Sequence, residues 1–404
     1  MNNKDPSISI LCSVVDNYGD IGFVYRLARN LSQKNKDLKL NLIVSNLKSF
    51  AAMAPEIDPS KEIQTYNGCT VLDWNADRQC TSYFIQNPLE VVLQCFQCGR
   101  PQWMEELLFA KDRADTVQII NIEYLTAEQW ADDFHLLRSG TRSSYVKKIN
   151  FMPGFTPKTG GLILDEPFMS YLKDSTIALK EADFYTKEED TFDVVLFSYP
   201  RNFDSVIKAL KDFQSIKQKS NPSFRIRIYA ANGISLNCVI ESCLKYHNPF
   251  ELIKLPYLTQ TQWDALLTLT DFNFIRGEDS FARACLTGKP FIWHAYPQEE
   301  EVQIIKVKAF LDRLEPYMDS DMSRILNLFT LSYNRKYKIT PCTESYDILC
   351  KYPEIEEEKD NSKLLVELFV NYDILKSCYK NFARDLIRNG NLTDNLLSYI
   401  KTLY

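Results

Sequence analysis

Several features that would announce a function are missing from this chain. No apolar stretch approaches the roughly 18 residues of a membrane span, and the N-terminal MNNKDPSISI lacks the apolar core of a signal peptide, so a cytoplasmic protein with no membrane partner is expected. Histidine is scarce: His135, His247 and His294 are the three present, and none is paired. The lone Cys95-x-x-Cys98 therefore lacks two further zinc ligands at matching spacing and reads as two ordinary buried thiols. The eleven cysteines are odd in number and scattered, unlike a disulfide framework. A net charge of −6 with no long basic run argues against sequence-independent nucleic-acid binding. No G-x-G-x-x-G follows a strand, which disfavours a dinucleotide oxidoreductase, and a P-loop is absent as well.

What is present is the profile of a soluble globular protein, with 45% hydrophobic and 25% charged residues, and 404 residues are enough for two or three domains. Short apolar runs alternate with amphipathic segments. Residues 8–15 (ISILCSVV), 38–44, 91–94 and 116–120 predict strands, and Val24, Leu27, Ala28 and Leu31 fall on one helical face. The theme restarts with strands at 193–198, 224–230, 272–275 and 289–296 and helices around 205–213 and 302–314. Two α/β units are implied, with the change placed near 170–190, where Pro and Gly punctuation gives way to the polar KEADFYTKEED. The acidic run 351–360 reads as a solvated loop leading into a helical tail. In open α/β sheets ligands bind at the carboxyl ends of the strands, so the chemistry is expected on strand-to-helix turns.

Two turns stand out. In SVVDNYGDIGFVYRLARNL (13–31), Asp16 and Asp20 sit between a strand and a helix, where such turns more often cradle an anion than display carboxylates. Paired carboxylates there can hold a cation, orient a nucleophile or remove a proton; Asp20 as the cap of a helix starting at Ile21 is the plainer alternative. In IRGEDSFARACLTGKP (275–290), a strand delivers Arg276 and Gly277 to a helix start carrying Glu278, Asp279 and Ser280. Unpaired N–H groups and the helix dipole make such a start an anion site, and Arg276 and Ser280 can add donors. Taken alone, the stretch favours Asp279 or Ser280 as a cap; the next strand, ending in Tyr296, Pro297 and Gln298, offers polar groups to the same ligand and shifts the balance towards a pyrophosphate bound without metal. Asp319-Ser320-Asp321, the D-x-D of this region, reads as a helix cap.

These stretches, D-N-Y-G-D-I-G with R-L-A-R, I-R-G-E-D-S-F-A-R-A and G-K-P-F-I-W-H-A-Y-P-Q, together with N-I-E-Y-L-T-A-E (121–128), F-x-P-G-F-T-x-K-T-G-G-L-I (151–163) and L-P-Y-L-T-Q (255–260), resemble the EarP-type protein-arginine rhamnosyltransferases over roughly residues 8–310. The resemblance implies an α/β fold of the GT-B type, two Rossmann-like domains facing each other across a cleft. Residues 1–178, completed by the C-terminal helix 380–404, would bind the acceptor, and 190–379 would bind the donor. It further implies an inverting, metal-independent enzyme with no cofactor, transferring rhamnose from its co-substrate dTDP-β-L-rhamnose to one arginine of translation elongation factor P, which then helps ribosomes through proline runs. On this sequence Asp20 corresponds to the proposed general base, Asp16 to its essential neighbour and Glu278 to the acidic residue of the second turn. Tyr18, Gly19, Phe197, Tyr199, Tyr257, Gln260, Arg276, Gly277, Asp279, Ser280 and Tyr296 correspond to donor contacts. Tyr257 stands where relatives often carry Phe, Ser198 where they often carry Gly, and Pro200 follows Tyr199. A guanidinium is protonated and a poor nucleophile, so paired carboxylates that grip it and take its proton suit a cationic acceptor. The alternatives are a sugar-nucleotide enzyme of the same architecture with a small acceptor, and a non-catalytic binder of elongation factor P.

Overall fold

A computed structural model describes residues 5–14, 19–248, 250–336, 341, 343–357 and 361–404. The chain divides into two compact units, one running up to Asp165 and taking back Asn389–Tyr404, the other spanning Glu166–Arg388.

The first unit is built on strands β1 (Ile8–Cys12), β2 (Leu40–Val44), β3 (Ile63–Tyr66), β4 (Cys69–Asp73), β5 (Val91–Cys95), β6 (Val117–Ile122), β7 (Arg138–Ser139) and β8 (Val146–Phe151). They form one sheet in the order β3-β4-β2-β1-β5-β6-β8-β7, parallel from β4 to β8 with an antiparallel strand at each margin. β1, β2, β5 and β6 are buried at every residue, the polar Ser9, Asn41, Gln94, Gln118 and Asn121 included, which is why they read as mostly apolar runs without a polar face: a parallel strand is covered on both faces. The helix Gly19–Lys34 turns Ile21, Val24, Leu27, Ala28 and Leu31 into this core. The sheet order reverses direction between β1 and β5, so the turns leaving these two strands flank its switch point.

The C-terminal helix Leu392–Lys401 belongs to this unit and inserts Leu392, Leu396 and Ile400 into the same core. It is tied to the 151–165 segment by a parallel bridge between Leu162 and Asn391, and by the Asn391 amide, which accepts from Leu164 N at 3.1 Å. Gly161, at φ +78°, lies where a Cβ would meet the Gly390 carbonyl oxygen at 2.6 Å, so this crossing needs glycine.

The second unit carries a parallel sheet of five strands, β9 (Thr191–Leu196), β10 (Arg225–Ala230), β11 (Glu251–Lys254), β12 (Phe272–Arg276) and β13 (Phe291–His294), in the order β11-β10-β9-β12-β13. Its switch point lies between β9 and β12. The unit boundary falls ahead of the 170–190 segment expected from punctuation. Helices Glu166–Lys173 and Ser175–Glu181 pack on helix Gln260–Leu269, with Phe168 and Ala178 fully buried and the Arg283 guanidinium 4.6 Å above the Phe168 ring. Residues 166–178 are therefore part of the second unit, as are 380–388 at the end of helix Tyr372–Arg388. Asp319 caps helix Ser320–Asn334 by accepting from Met322 N at 2.8 Å, in line with its reading from sequence. No described helix is long and apolar enough to cross a membrane.

Candidate active site

The carboxyl ends of β9, β12 and β13 bring together the residues that the sequence marks for anion binding. Arg276, at the end of β12, lies with its guanidinium carbon 4.6 Å from the Phe197 ring centroid and 4.9 Å from that of Tyr199, both just past the end of β9. Aromatic faces favour a cation at such distances, and they also strip it of water. Arg276 Nε is buried with no hydrogen-bond partner among the described residues. A buried donor of this kind is costly to leave unmade, and it marks a place prepared for an acceptor atom.

From this arginine the contacts run outward in both directions. Tyr199 meets the Tyr296 ring edge-on at 5.5 Å, and Phe197 meets the Trp263 ring edge-on at 5.0 Å. The Trp263 indole N–H donates to Ser280 Oγ at 3.0 Å. Gly277 is the N-cap of helix Glu278–Thr287, with φ 75° and ψ 157°, a conformation that suits glycine, and it has no side chain to cap the helix. Asp279 and Ser280 are thus first-turn residues and not caps, which corrects the capping alternative. Gln260 opens helix Gln260–Leu269, one turn before Trp263, behind a capping box made by Thr259 and Gln262. Tyr257 lies on the preceding loop, 74% exposed, and Tyr296 is 61% exposed.

Under these residues lies a polar cluster that sequence reasoning missed. Ser198 Oγ is 2.7 Å from His294 Nδ1 and 2.8 Å from the Tyr333 hydroxyl, all three buried. Tyr199 N donates to the same His294 nitrogen at 3.3 Å. Burial, and then the charges of Arg201, Arg276 and Lys336, push the His294 imidazole well below its usual range and keep it neutral. Arg201 lies 3.7 Å above the Tyr333 ring and donates to the Tyr333 carbonyl. Ser198 therefore fastens the β9 turn to β13.

On the first unit, Asp20 lies in the first turn of helix Gly19–Lys34 and is 3% exposed. Gly19 is already helical, so Asp20 is inside the helix and does not cap one starting at Ile21; a carboxylate in a first turn is favoured by the helix dipole. Its Oδ1 accepts from the Tyr124 hydroxyl at 3.3 Å. Asp16 and Tyr18 lie outside the described residues. Below Asp20, burial raises the Cys12 and Cys95 thiols well above their usual range and Cys98 to about 11, so these are unreactive thiols.

The structure thus joins Phe197, Tyr199, Arg276, Ser280 and Tyr296 into one connected set, places Gly277, Glu278, Asp279 and Gln260 on elements adjoining it, and puts Gly19 and Asp20 on the other unit. Of the residues missed, His294 stood in the quoted W-H-A-Y stretch and Tyr124 in N-I-E-Y; Arg201, Trp263 and Tyr333 carry no short-range signal.

Residues 8–401 match the family model described as "Elongation-Factor P (EF-P) rhamnosyltransferase EarP". A protein-arginine rhamnosyltransferase of Shewanella oneidensis is 33% identical over 343 residues, covering 78% of this chain and 84% of the relative. One of the same name from Pseudomonas aeruginosa is 29% identical over 335 residues, covering 81% and 87%. Among solved structures, one reported as the "Structural basis for EarP-mediated arginine glycosylation of translation elongation factor EF-P" aligns with a TM-score of 0.57 and 17% identity over 98% of both chains. Sucrose-phosphate synthase from Thermosynechococcus elongatus aligns with a TM-score of 0.50 and 7% identity over 98% of this chain and 99% of that one. These likenesses show the fold, which is that of GT-B glycosyltransferases with two Rossmann-like domains.

Proposed function

This chain belongs to the EF-P rhamnosyltransferase family EarP and is a protein-arginine rhamnosyltransferase; from that premise we propose that its acceptor is an arginine of translation elongation factor P, that its donor is dTDP-β-L-rhamnose, and that the sugar is transferred with inversion. The observation that carries the donor half is Arg276, held between Phe197 and Tyr199 with a buried, unpartnered Nε at the carboxyl edge of a parallel sheet. In this reading the diphosphate takes Arg276 and the start of helix Glu278–Thr287, with the Ser280 hydroxyl and the exposed Tyr296 beside it. Positive charge fixed in advance stabilises the departing diphosphate, which needs no metal ion. Tyr199, Phe197, Tyr257 and Gln260 serve the nucleoside, and either face of an exposed ring such as Tyr257 can stack on thymine.

The acceptor half rests on Asp20. Arginine is cationic and its nitrogen lone pairs are delocalised, so it must be held and relieved of a proton as it reacts. The Asp20 carboxylate, with Asp16 four positions earlier in the sequence as its partner, grips the guanidinium through charge-assisted hydrogen bonds. One terminal nitrogen forms the bond to the anomeric carbon while the bond from that carbon to the diphosphate oxygen breaks on the opposite face. The guanidinium proton passes to Asp20, thymidine diphosphate leaves, and Glu278 remains as the acidic residue of the donor turn. Proton loss late along the reaction is easier than free deprotonation.

Intact-mass measurement of elongation factor P after incubation with the enzyme and dTDP-β-L-rhamnose tests the whole reading. A gain of one deoxyhexose on an arginine is expected. Product on a small molecule instead would point to another acceptor, and binding of the factor without mass gain would point to a non-catalytic role. Asp20→Asn is expected to abolish transfer while thymidine diphosphate still binds; lost nucleotide affinity in that variant would remove Asp20 from the acceptor side.

A further inference from the structure

We propose that Tyr124 is the positioning residue of the acceptor carboxylate, holding Asp20 through its hydroxyl while the Phe96 ring holds Tyr124. The inference rests on the reading of Asp20 given above. Three contacts link four side chains at the carboxyl ends of β1, β5 and β6. Asp20 and Phe23 stand one turn apart on helix Gly19–Lys34. The Phe23 ring meets that of Phe96 at 5.2 Å, Phe96 stacks on Tyr124 at 4.2 Å with the planes 10° apart, and the Tyr124 hydroxyl returns to Asp20 Oδ1 at 3.3 Å. Tyr124 is thereby located from two different segments of the chain, by Phe96 after β5 and by Asp20 on the helix after β1.

The backbone is bent to achieve this. Phe96 and Gln97 have φ of 58° and 50°, a left-handed pair that a bulky side chain adopts only where its surroundings enforce it. The turn is fastened to the end of β6 by Phe96 N donating to the Ile122 carbonyl at 2.7 Å and by Gln97 Nε2 donating to Glu123 Oε1 at 2.8 Å. Strain of this kind aims the Phe96 ring at Tyr124. A tyrosine needed for packing alone would be buried, yet Tyr124 is 41% exposed while the carboxylate it serves is 3% exposed. The ring thus stands at the surface where an arginine from a folded partner arrives, and its hydroxyl sets the plane of the carboxylate that receives the proton. Rate depends on such placement within a fraction of an ångström.

The test uses the full chain with elongation factor P and dTDP-β-L-rhamnose. Tyr124→Phe deletes the hydroxyl and keeps the stack; its kcat is expected to fall about tenfold, with KM for the donor, affinity for thymidine diphosphate and melting temperature unchanged. Phe96→Leu, which frees the ring, is expected to lower kcat in the same direction with the same split. As a readout without turnover, 3-fluorotyrosine at position 124 is expected to change its fluorine resonance between the otherwise native enzyme and Asp20→Asn. An unaltered kcat in Tyr124→Phe, a fall that merely follows a lowered melting temperature, or a resonance indifferent to Asp20 overturns the assignment. If Asp20→Asn itself turns over normally, the reading of Asp20 fails; if Asp20→Asn is inactive and Tyr124→Phe is normal, the positioning role alone fails.

Discussion

Replacing Arg276 by methionine separates what this arginine does for the fold from what it does for the ligand. In the fold it makes two aromatic contacts, at 4.6 and 4.9 Å, and leaves a buried Nε unmatched. Each ring contact stabilises by about 0.5–2 kcal/mol, whereas the orphaned donor costs about 1–3 kcal/mol. Methionine keeps much of the apolar packing against the rings and deletes the orphan. The two effects offset, and the melting temperature is expected to stay within about 3 °C of the parent. Ligand binding has no such offset. Two charge-assisted hydrogen bonds to a diphosphate, given up together, amount to about 3 kcal/mol, which is about a 150-fold loss of affinity. Titration calorimetry with thymidine diphosphate, run beside a thermal melt, reads both quantities on one preparation. Arg276→Lys keeps the charge but not the planar fork, and is expected to fall between. A Met variant that binds the nucleotide normally, or one that melts far below the parent, refutes the reasoning: the first removes Arg276 from the phosphate site and the second makes it a structural residue.

Three further outcomes follow from single features. His135, whose Nδ1 accepts from Met152 N at 3.1 Å, is held by burial from its ordinary 6.5 down to about 4; the unfolded chain then binds the proton first, so stability is present above pH 6.5 and is lost as pH falls towards 4. Melts of the parent and of His135→Gln, compared at pH 7 and pH 5, are expected to show a smaller acid loss in the variant, and an equal loss would contradict the assignment. Gly277→Ala meets no atom within 4 Å of the new Cβ, so its cost is backbone strain at φ +75° alone; a loss of about 1 kcal/mol in denaturant unfolding is expected, and none would mean that the turn relaxes. Turnover is expected to survive a chelator if, as proposed, Arg276 and the helix start carry the leaving-group charge; inhibition reversed by added magnesium would sink that part of the mechanism.

The strands that were legible share one physical cause. Residues 8–12, 40–44, 91–95 and 117–122 are covered on both faces, so they are mostly apolar, with no more than one or two buried polar residues each, and stand out in any window. β8, Val146–Phe151, carries Lys147 and Lys148 and lost that signal. The β3–β4 hairpin did have one: Asn67 and Gly68, with φ of 46° and 77°, form the Asn-Gly turn that joins twisted antiparallel strands. The T-G-G of 159–161 carried weight as a family motif, and its physical reason is the passage of Gly161 against the Gly390 carbonyl, which docks the C-terminal helix. Nothing local in either segment announces a meeting of residues so distant in the chain.

The same distinction runs through the site. Asp20, Arg276, Gly277 and Ser280 were legible because each lies within a few residues of a strand end, where a single turn holds the evidence. Tyr124, Phe96, His294 and Tyr333 were not, since what makes them functional candidates is whom they touch: Tyr124 reaches Asp20 across 104 positions, and Tyr333 reaches Ser198 across 135. Strand order converts one kind of knowledge into the other. Once β5 is known to pair with β1, and β6 with β5, the turns after Cys95 and Ile122 must flank the turn that carries Asp20, and their aromatic residues become its neighbours. Likewise β12 pairs with both β9 and β13, which forces Arg276 between Tyr199 and the strand that ends at His294. The chemistry-bearing residues of a parallel sheet are therefore found by turn, but the residues that aim them are found only by register.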